Sequence, residues 1–436
     1  MKTVADKLKE KLNNVISELS EIKTLYVTNP EKDFTRDRKL TFEKMITALI
    51  SMGGNSIYKE LLEQSGFDAQ TATTSAFVQQ RQKILPEAFE YILRHFCIEK
   101  KSIKTHKGYR LLAVDGSSLN LPTDPNDETT HFKKKANRGY NLLHLNALYD
   151  ITNRLYVDAI TQTRHEHNEH KAMIDMVARS PITDKVIIVG DRLFESYNNF
   201  AHIEKKGWNF VIRVKDIHSN GILSAVTLPN EDVFDITIET MLTRKQTKAV
   251  KQESDLYKFI PNKSTFDFLD LHQNKFYPIK LRFVRVKLDN DNYECLVTNL
   301  SCDEFSSKEL KEVYRLRWGI ETSFRELKYT IGLTNFHSKK QGLINQEIFA
   351  RLILYNFTEM LTMAVVLSKG DKTYVYKVNF TVAANVCRYF LRWFNNKPPD
   401  VLGVIARNTL PLRPHRRFRD RKPKVKSAVT FWYRVA

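Results

Sequence analysis

Hydrophobic residues in the first hundred positions recur every three or four residues, which is the period of an α-helix. Residues 41–52 show this period most clearly, and the run Gly53-Gly54-Asn55 ends that segment. The same period predicts three further helices over residues 56–64, 73–84 and 86–97. We therefore predict an N-terminal helical DNA-binding domain over residues 1–105. The pattern fits a helix-turn-helix, and it fits an ordinary helical bundle equally well.

Between residues 106 and 215 the pattern changes to short apolar runs that are typical of strands. They predict strands over residues 109–115, 142–149, 154–161, 185–191 and 208–214, and helices over residues 169–179 and 195–206. Residues 150–153 give a hairpin signal between the second and third strands. The order of these elements predicts an α/β fold, with residues 106–215 as the first part of its core.

The second half of the chain begins with strand-like segments and ends with helices. Residues 216–305 predict a β-rich insertion, with its clearest strands over residues 277–288 and 293–299. Helical periodicity returns over residues 307–331, so residues 306–345 are assigned to the core again. Residues 346–436 are predicted to form C-terminal helices and a basic tail. Their most apolar run contains Arg351, Asn356 and Glu359, which indicates a buried helix rather than a membrane span.

The chain is strongly basic. Its 436 residues include 69 Lys and Arg against 50 Asp and Glu, which gives a formal net charge of +19. Such an excess predicts a polyanionic partner, either nucleic acid or an anionic membrane. We favour nucleic acid because the amino-terminal stretch is amphipathic and has no apolar signal core. The four Cys residues form no C-x-x-C pair, which indicates a reducing, intracellular compartment.

Two acidic residues, Asp115 and Asp191, end two of the predicted apolar strands. If these strands are neighbours in a sheet, both carboxylates reach the same edge, which is where α/β proteins place their chemistry. The alternative is that each Asp only caps a turn, since Asp is common after strands. Taken alone, neither residue decides between these two interpretations.

The predicted helix over residues 307–331 carries a polar face beside an apolar stripe. At about 100° per residue the polar positions fall within an arc of roughly 60°; they are Tyr314, Arg317, Glu321 and Lys328. A solvated charged face is the alternative interpretation. A carboxylate flanked by Arg and Lys suits metal-assisted phosphoryl transfer, in which carboxylates hold two divalent cations about 3.5–4 Å apart. The cationic side chains would then hold the phosphates beside the scissile bond.

The spacing of these residues resembles the Y-x-x-R-x-x-x-E-x-x-x-x-x-x-K signature of a large group of bacterial insertion-sequence transposases with a DDE triad. The string runs from Tyr314 to Lys328, and the upstream acids match in Val114-Asp115-Gly116 and Gly190-Asp191-Arg192. The resemblance implies an RNase H-like, mixed-sheet catalytic core with a β-rich insertion before the catalytic Glu. It also implies bacterial DNA transposition with a location in the cytoplasm, associated with the nucleoid.

The same resemblance implies roles for individual residues. The catalytic and metal-binding triad would be Asp115, Asp191 and Glu321, holding two Mg²⁺ or Mn²⁺ ions. The contacts to the DNA-end phosphates would come from Tyr314, Arg317, Lys328 and Arg192. The implied partners are the double-stranded DNA of the transposon end repeats and of the target. A homodimer is implied in the synaptic complex, without any membrane.

Three functions are compatible with these residues. The first is a cut-and-paste transposase that cleaves the inverted repeats of its element and joins the freed 3′-OH to target DNA. The second is a catalytically silent DNA-binding or regulatory protein derived from such an enzyme. The third is an RNase H-like nuclease that lacks the strand-transfer step. The complete set of acidic and basic signature residues favours an enzyme over the silent protein, and the nuclease differs from the transposase only in lacking the second step.

Other polar clusters fit simpler interpretations. Residues 165–170, His-Glu-His-Asn-Glu-His, do not have the H-E-x-x-H spacing, and we interpret them as the polar start of a helix rather than a zinc site. Residues 132–138 predict a basic loop near the active edge, either solvated or in contact with phosphate. The tail over residues 413–426 is either a DNA-binding arm or a solubilising segment. Some relatives stack a flipped base on a Trp in the insertion; here Tyr293 and Phe283 are the candidates, since no Trp lies between Trp208 and Trp318.

Overall fold

The computed structural model describes residues 2–412, except residues 37, 97–101, 135–136, 226, 254, 272, 289–291, 366–374 and 394–397. The amino-terminal part of the chain is helical; its helices are α1 (Val4–Glu21), α2 (Phe42–Ser51), α3 (Ile57–Gln64), α4 (Thr74–Arg81) and α5 (Glu87–His95). The core elements that follow are β1 (Arg110–Leu121), β2 (His131–Lys134), β3 (Asn137–Asp150), β4 (Leu155–Gln162), α6 (Glu169–Arg179), β5 (Val186–Gly190), α7 (Tyr197–Lys205) and β6 (Asn209–Val214).

The remainder of the described chain holds an insertion and a helical region. The insertion contains β7 (Phe234–Thr243), α8 (Lys248–Gln252), β8 (Tyr257–Phe259), β9 (Phe276–Lys287) and β10 (Tyr293–Thr298). The later elements are α9 (Ser307–Arg315), α10 (Trp318–Glu326), α11 (Gln341–Ala364), β11 (Val375–Val378), α12 (Phe380–Arg392), α13 (Val401–Arg407) and β12 (Thr409–Leu412). A π-helical turn, Leu327–Ile331, directly follows α10.

The core strands form one mixed sheet in the order β4-β3-β1-β5-β6. β4 pairs antiparallel with β3, and β3 pairs antiparallel with β1. β5 pairs parallel with β1, and β6 pairs parallel with β5. The parallel strand β5 is buried along its whole length, as expected for a central strand covered on both faces. Three antiparallel strands followed by two parallel ones in this order are the RNase H-like arrangement, so the predicted fold class is confirmed.

The strands of the insertion continue this sheet rather than forming a separate one. β10 pairs with β6, and the order then runs through β9 and β7 to β8. The two strands predicted within residues 277–299 are therefore present as β9 and β10. Their pairing makes the insertion a direct extension of the core.

Helices cover both faces of the sheet. Because side chains alternate along a strand, Leu112 and Val114 face the helices α6 and α7, whereas Ala113 faces α10 and α11. The amino-terminal helices pack behind α11 and share its hydrophobic core. A buried ion pair joins the two regions, with Arg81 Nη2 on α4 2.9 Å from Glu347 Oε1 on α11.

Several elements differ from the sequence prediction. Strand β1 does not end at Asp115 but continues to Leu121, because β3 remains its partner along that length. The predicted basic loop contains strand β2, paired with β3, and Lys135 within it lies outside the described residues. The predicted continuous helix over residues 307–331 is interrupted between α9 and α10. The tail over residues 413–426 also lies outside the described residues.

Among the helices of the described chain, none is long and apolar enough to cross a membrane.

Candidate active site

The two aspartates lie where neighbouring parallel strands separate. The pairing of β1 with β5 ends at Val114 and Gly190, and the next residues along the chain are Asp115 and Asp191. Asp115 stays within β1, opposite Ala147 of β3, so its expected place at the end of a strand is wrong. Asp191 does leave its strand, and its carboxylate accepts a hydrogen bond of 2.9 Å from the Leu193 N–H. The fork between the strands brings both acids to one edge of the sheet.

The Asp115 carboxylate is electrostatically crowded. Burial raises the pKa of Asp115 to about 6, and the negative charges of Asp191 and Glu321 act in the same direction. The Gly116 N–H, which donates to Asp115 Oδ1 at 2.8 Å, and the Arg317 guanidinium oppose this rise. Asp115 is thus acted on by the charges of two acids from two other parts of the chain.

Glu321 reaches this place on α10, which packs closely on the sheet. Its apolar face buries Ile320 and Phe324 in the core, and Ser323 lies 2.9 Å from the Tyr156 hydroxyl of β4. The helix backbone lies close to the sheet at Gly319, where a Cβ would be in ordinary van der Waals contact with Ile151 at 3.5 Å. The amphipathic pattern of α10 therefore fixes the direction in which Glu321 projects.

Arg317 lies in the turn that separates α9 from α10. The helical hydrogen-bond pattern tightens there, with the Arg317 N–H donating to the Tyr314 carbonyl oxygen at 3.0 Å. Arg317 Nη2 donates to Glu321 Oε1 at 2.7 Å, and Nη1 lies 3.9 Å from Asp115 Oδ2. One guanidinium therefore bridges a carboxylate from the sheet and a carboxylate from the helix.

The other predicted phosphate contacts have different surroundings. Tyr314 is buried, with the Arg317 guanidinium 5.7 Å from its ring centre. Lys328 Nζ donates to Ser117 Oγ at 2.7 Å and to the Ser118 carbonyl oxygen at 2.9 Å. Arg192 is exposed on the short turn after Asp191. The structure thus brings Arg317 to two of the acids, Tyr314 beside Arg317, and Lys328 against β1 just beyond Asp115. Arg192 is next to Asp191 in the chain.

Some residues of this region were not singled out from the sequence. Trp318 and Tyr329 are both more than 60% exposed and flank Glu321 on either side in the chain. Their positions in the sequence could have indicated them, because Trp318 lies within the Y-R-E-K string and Tyr329 directly follows it. Of the two candidate stacking aromatics, Phe283 is buried in the core, whereas Tyr293 carries the Arg285 guanidinium 3.8 Å from its ring centre.

The donor chemistry of this site suits a hard divalent cation. Carboxylate oxygens are the ligands that Mg²⁺ prefers. Burial, with a smaller contribution from the charges of Asp191 and Glu321, raises the pKa of Asp115, and a bound cation would favour its ionised form. In the described structure, oxygens of the three acids do not all lie within 4.8 Å of one another. The set that meets this distance is His144, His167 and Glu169, beside Gly116 on β1.

Comparison with known proteins adds three likenesses, two to insertion-sequence transposases and one to a solved structure. The putative transposase InsL of insertion sequence element IS186A from Escherichia coli K12 is 36% identical to this chain over 66 residues. The transposase of insertion sequence element IS421 from Escherichia coli gives the same identity over the same length. Each match spans 15% of this chain and 18% of the relative. The solved synaptic complex of piggyBac transposase with hairpin DNA aligns with a TM-score of 0.45 at 11% identity, covering 94% of this chain and 86% of that one.

A broader match comes from the family described as Transposase DDE domain. Its sequence model matches residues 106–357, which is more than half of the chain. The matched region begins just before β1 and ends within α11, so it contains Asp115, Asp191 and Glu321 together with the whole sheet. This chain therefore belongs to the transposase DDE domain family.

Proposed function

We propose that this chain is a DNA transposase of an insertion sequence, which binds the terminal inverted repeats, cleaves the ends and joins the freed 3′-OH to target DNA. The observation that carries the proposal is the bridge formed by Arg317 between Asp115 and Glu321, beside Asp191 at the strand fork. Within a DDE family, acids gathered in this way from a strand, a strand end and a helix support a catalytic rather than a capping role.

In this proposal Asp115, Asp191 and Glu321 hold two Mg²⁺ or Mn²⁺ ions, and the family itself implies the use of divalent metal. Bound metal would activate the attacking oxygen and stabilise the leaving one. The chain's own cations then orient the DNA end, because phosphate contacts fix register and orientation. Those contacts are assigned to Tyr314, Arg317 and Lys328, as the Y-R-E-K signature implies, and to Arg192 because it directly follows Asp191.

The proposed partners follow from charge and from the reaction. A chain with a formal net charge of +19 suits duplex DNA, and pairing of two transposon ends implies a homodimer in the synaptic complex. The bacterial cytoplasm, in association with the nucleoid, is the location that this activity requires. The helical region of residues 1–105 is proposed to contribute DNA binding.

The test is metal-dependent nicking of a labelled duplex taken from the DNA that flanks the reading frame. We expect nicking by the wild type with Mg²⁺, and loss of nicking with retained DNA binding in Asp115→Ala, Asp191→Ala and Glu321→Ala. Glu312→Ala is the matched control, since Glu312 is exposed on α9 away from the bridge. Nicking that survives in one triad variant removes that residue from the triad. A wild type that binds but never nicks favours the catalytically silent alternative.

DNA binding is tested separately by its salt dependence. The logarithm of the association constant is expected to fall by about 0.9 per phosphate neutralised for each tenfold rise in salt. Truncation after Leu412 removes eight Lys and Arg residues between positions 413 and 426, and we expect a shallower slope. An unchanged slope would assign that tail a solubilising role.

A further inference from the structure

A second group of metal-ligating side chains lies on the sheet face that α6 covers. His144 is contributed by β3, His167 by the loop after β4, and Glu169 is the first residue of α6. The group lies against Gly116 of β1, and successive side chains of a strand point to opposite faces. It is therefore separated from the Asp115 carboxylate by the sheet itself.

The distances within this group match those of a bound transition metal. His144 Nε2 lies 3.1 Å and His167 Nε2 3.4 Å from Glu169 Oε1, and ligand atoms of all three residues lie within 4.8 Å of one another. Two ligands of a tetrahedral zinc ion, each at about 2.0–2.1 Å, are about 3.3 Å apart. The side chains are thus already gathered at the separation that a shared cation requires.

Ion pairing accounts for only part of the arrangement. His144 Nε2 is shielded from solvent and lies 3.1 Å from Glu169 Oε1, and both imidazoles act to lower the pKa of Glu169, but the approach of His144 Nε2 does not have the angles of a hydrogen bond. A shielded polar nitrogen without a well-aligned partner is costly unless another ligand satisfies it. Helix capping is performed by a neighbouring residue, because the Asn168 side chain accepts from the Lys171 N–H at 3.0 Å. Neither histidine is needed for that cap.

Gly116 provides the space for this group. A Cβ at position 116 would lie 2.3 Å from His144 Nε2 and 2.7 Å from Glu169 Oε2. Any other residue there would push both side chains away from the strand. The close approach therefore depends on the glycine that directly follows Asp115.

We propose that His144, His167 and Glu169 form a binding site for a transition-metal dication of the Zn²⁺ class. Two imidazoles and one carboxylate suit Zn²⁺ rather than Mg²⁺, which prefers oxygen ligands. His167 is about half exposed, so a further coordination position opens to water. The bound ion ties β3 to the start of α6 and supports β1 from behind at Gly116. The site is independent of the all-carboxylate group that is assigned to catalysis.

The experiment is a Zn²⁺ titration of the metal-stripped full-length protein in competition with a chromophoric zinc chelator. We expect one Zn²⁺ per chain that millimolar Mg²⁺ does not displace. His167→Ala should weaken this binding at least tenfold, since it removes one of three ligands from an exposed position. His165→Ala is the matched control, because His165 is exposed in the same loop but lies outside the group.

Two further variants keep the test decisive. Gly116→Ala retains every ligand but displaces His144 and Glu169, so its Zn²⁺ affinity should also fall, with the fold checked by circular dichroism. Asp115→Asn combined with Glu321→Gln should leave the Zn²⁺ affinity unchanged. Equal losses in His165→Ala and His167→Ala, loss in the Asp115/Glu321 double variant, or no binding by the wild type would each overturn the proposal.

Discussion

Arg317 Nη2 donates to Glu321 Oε1 at 2.7 Å, while Nη1 of the same side chain lies 3.9 Å from Asp115 Oδ2. One positive charge therefore serves two carboxylates that the transposase signature assigns to metal binding. A divalent cation that enters between them meets the repulsion of this guanidinium, because like charges interact strongly at such distances. Metal binding and the phosphate-binding role assigned to Arg317 are thus coupled at one residue.

Replacing Arg317 by Ala removes the competing cation but no metal ligand. We expect the Mn²⁺ affinity of the DNA-free protein to rise about two- to tenfold, while cleavage of the transposon end falls because the bidentate phosphate fork is lost. Mn²⁺ titration followed by electron paramagnetic resonance measures the first effect. Glu321→Gln serves as the control because it removes a proposed metal ligand, and it should weaken Mn²⁺ binding. Weaker Mn²⁺ binding in Arg317→Ala than in the wild type would show that Arg317 does not compete with the metal ion for the carboxylates.

Lys328 provides a prediction about DNA positioning. Its hydrogen bonds to Ser117 and Ser118 hold the π-helical turn against β1, two residues beyond Asp115. We expect Lys328→Ala to weaken paired-end complex formation, with residual cleavage that recovers as the DNA concentration is raised, and Lys328→Arg to be milder. Ser117→Ala removes a partner in β1 but keeps the cation, so it should cleave almost normally. If Ser117→Ala is as damaging as Lys328→Ala, the lysine acts by holding β1 rather than DNA.

Replacing the buried Asp115 carboxylate by a neutral group should stabilise the folded protein. Burial raises the pKa of Asp115 to about 6, above its ordinary 3.8, so the folded state binds this proton more tightly than the unfolded state. The free energy of unfolding therefore falls as the pH rises from about 4 through 6. Without metal at pH 7.5, Asp115→Asn should raise it by about 1–3 kcal/mol. The difference should vanish below pH 4.

Urea denaturation in EDTA measures this difference across the pH range. Asp303→Asn is the control, since Asp303 is exposed, and its effect should stay within about 0.5 kcal/mol. Addition of Mg²⁺ should stabilise the wild type but not Asp115→Asn, because only the wild type retains the ligand. Equal stability of the two proteins at pH 7.5 in EDTA would show that burial does not raise the pKa of Asp115 in the folded protein.

Local patterns were sufficient to predict much of the sheet and its helices. The apolar run before Asp191 predicted β5, and the periodicity after residue 168 predicted α6 with the bounds that the structure has. These elements are recognisable because one stretch of chain determines each of them. The place of Asp191 after β5 follows from the same local information.

The predicted and observed elements differ where residues far away in the sequence determine the local structure. β1 continues past Asp115 because β3 pairs with it, and a single-strand pattern does not contain that partner. The interruption at Arg317 depends on packing of α9 and α10 against different parts of the sheet. His144 joins His167 and Glu169 only through the β3–β4 pairing, so linear spacing within residues 165–170 could not identify the group.

Arg81 on α4 and Glu347 on α11 form an almost completely buried pair, with 2.9 Å between Nη2 and Oε1. Burial would raise the pKa of Glu347, but the positive charges of Arg81 and His337 outweigh it and lower the pKa to about 2. Glu347 is therefore ionised at every pH at which the protein is used. Glu347→Gln leaves Arg81 buried without its counter-charge, which should cost about 3–5 kcal/mol of the free energy of unfolding.

The same variant tests whether residues 1–105 form a domain of their own, which is a prediction from sequence alone. Because the amino-terminal helices share the core around α11, we expect Glu347→Gln to lower the stability of both regions in one cooperative urea transition. Glu10→Gln is the control: its partner Lys2 is exposed, so the loss should stay below about 1 kcal/mol. A separate early transition of the amino-terminal helices, with the sheet unaffected, would instead establish an independent domain that α11 only contacts.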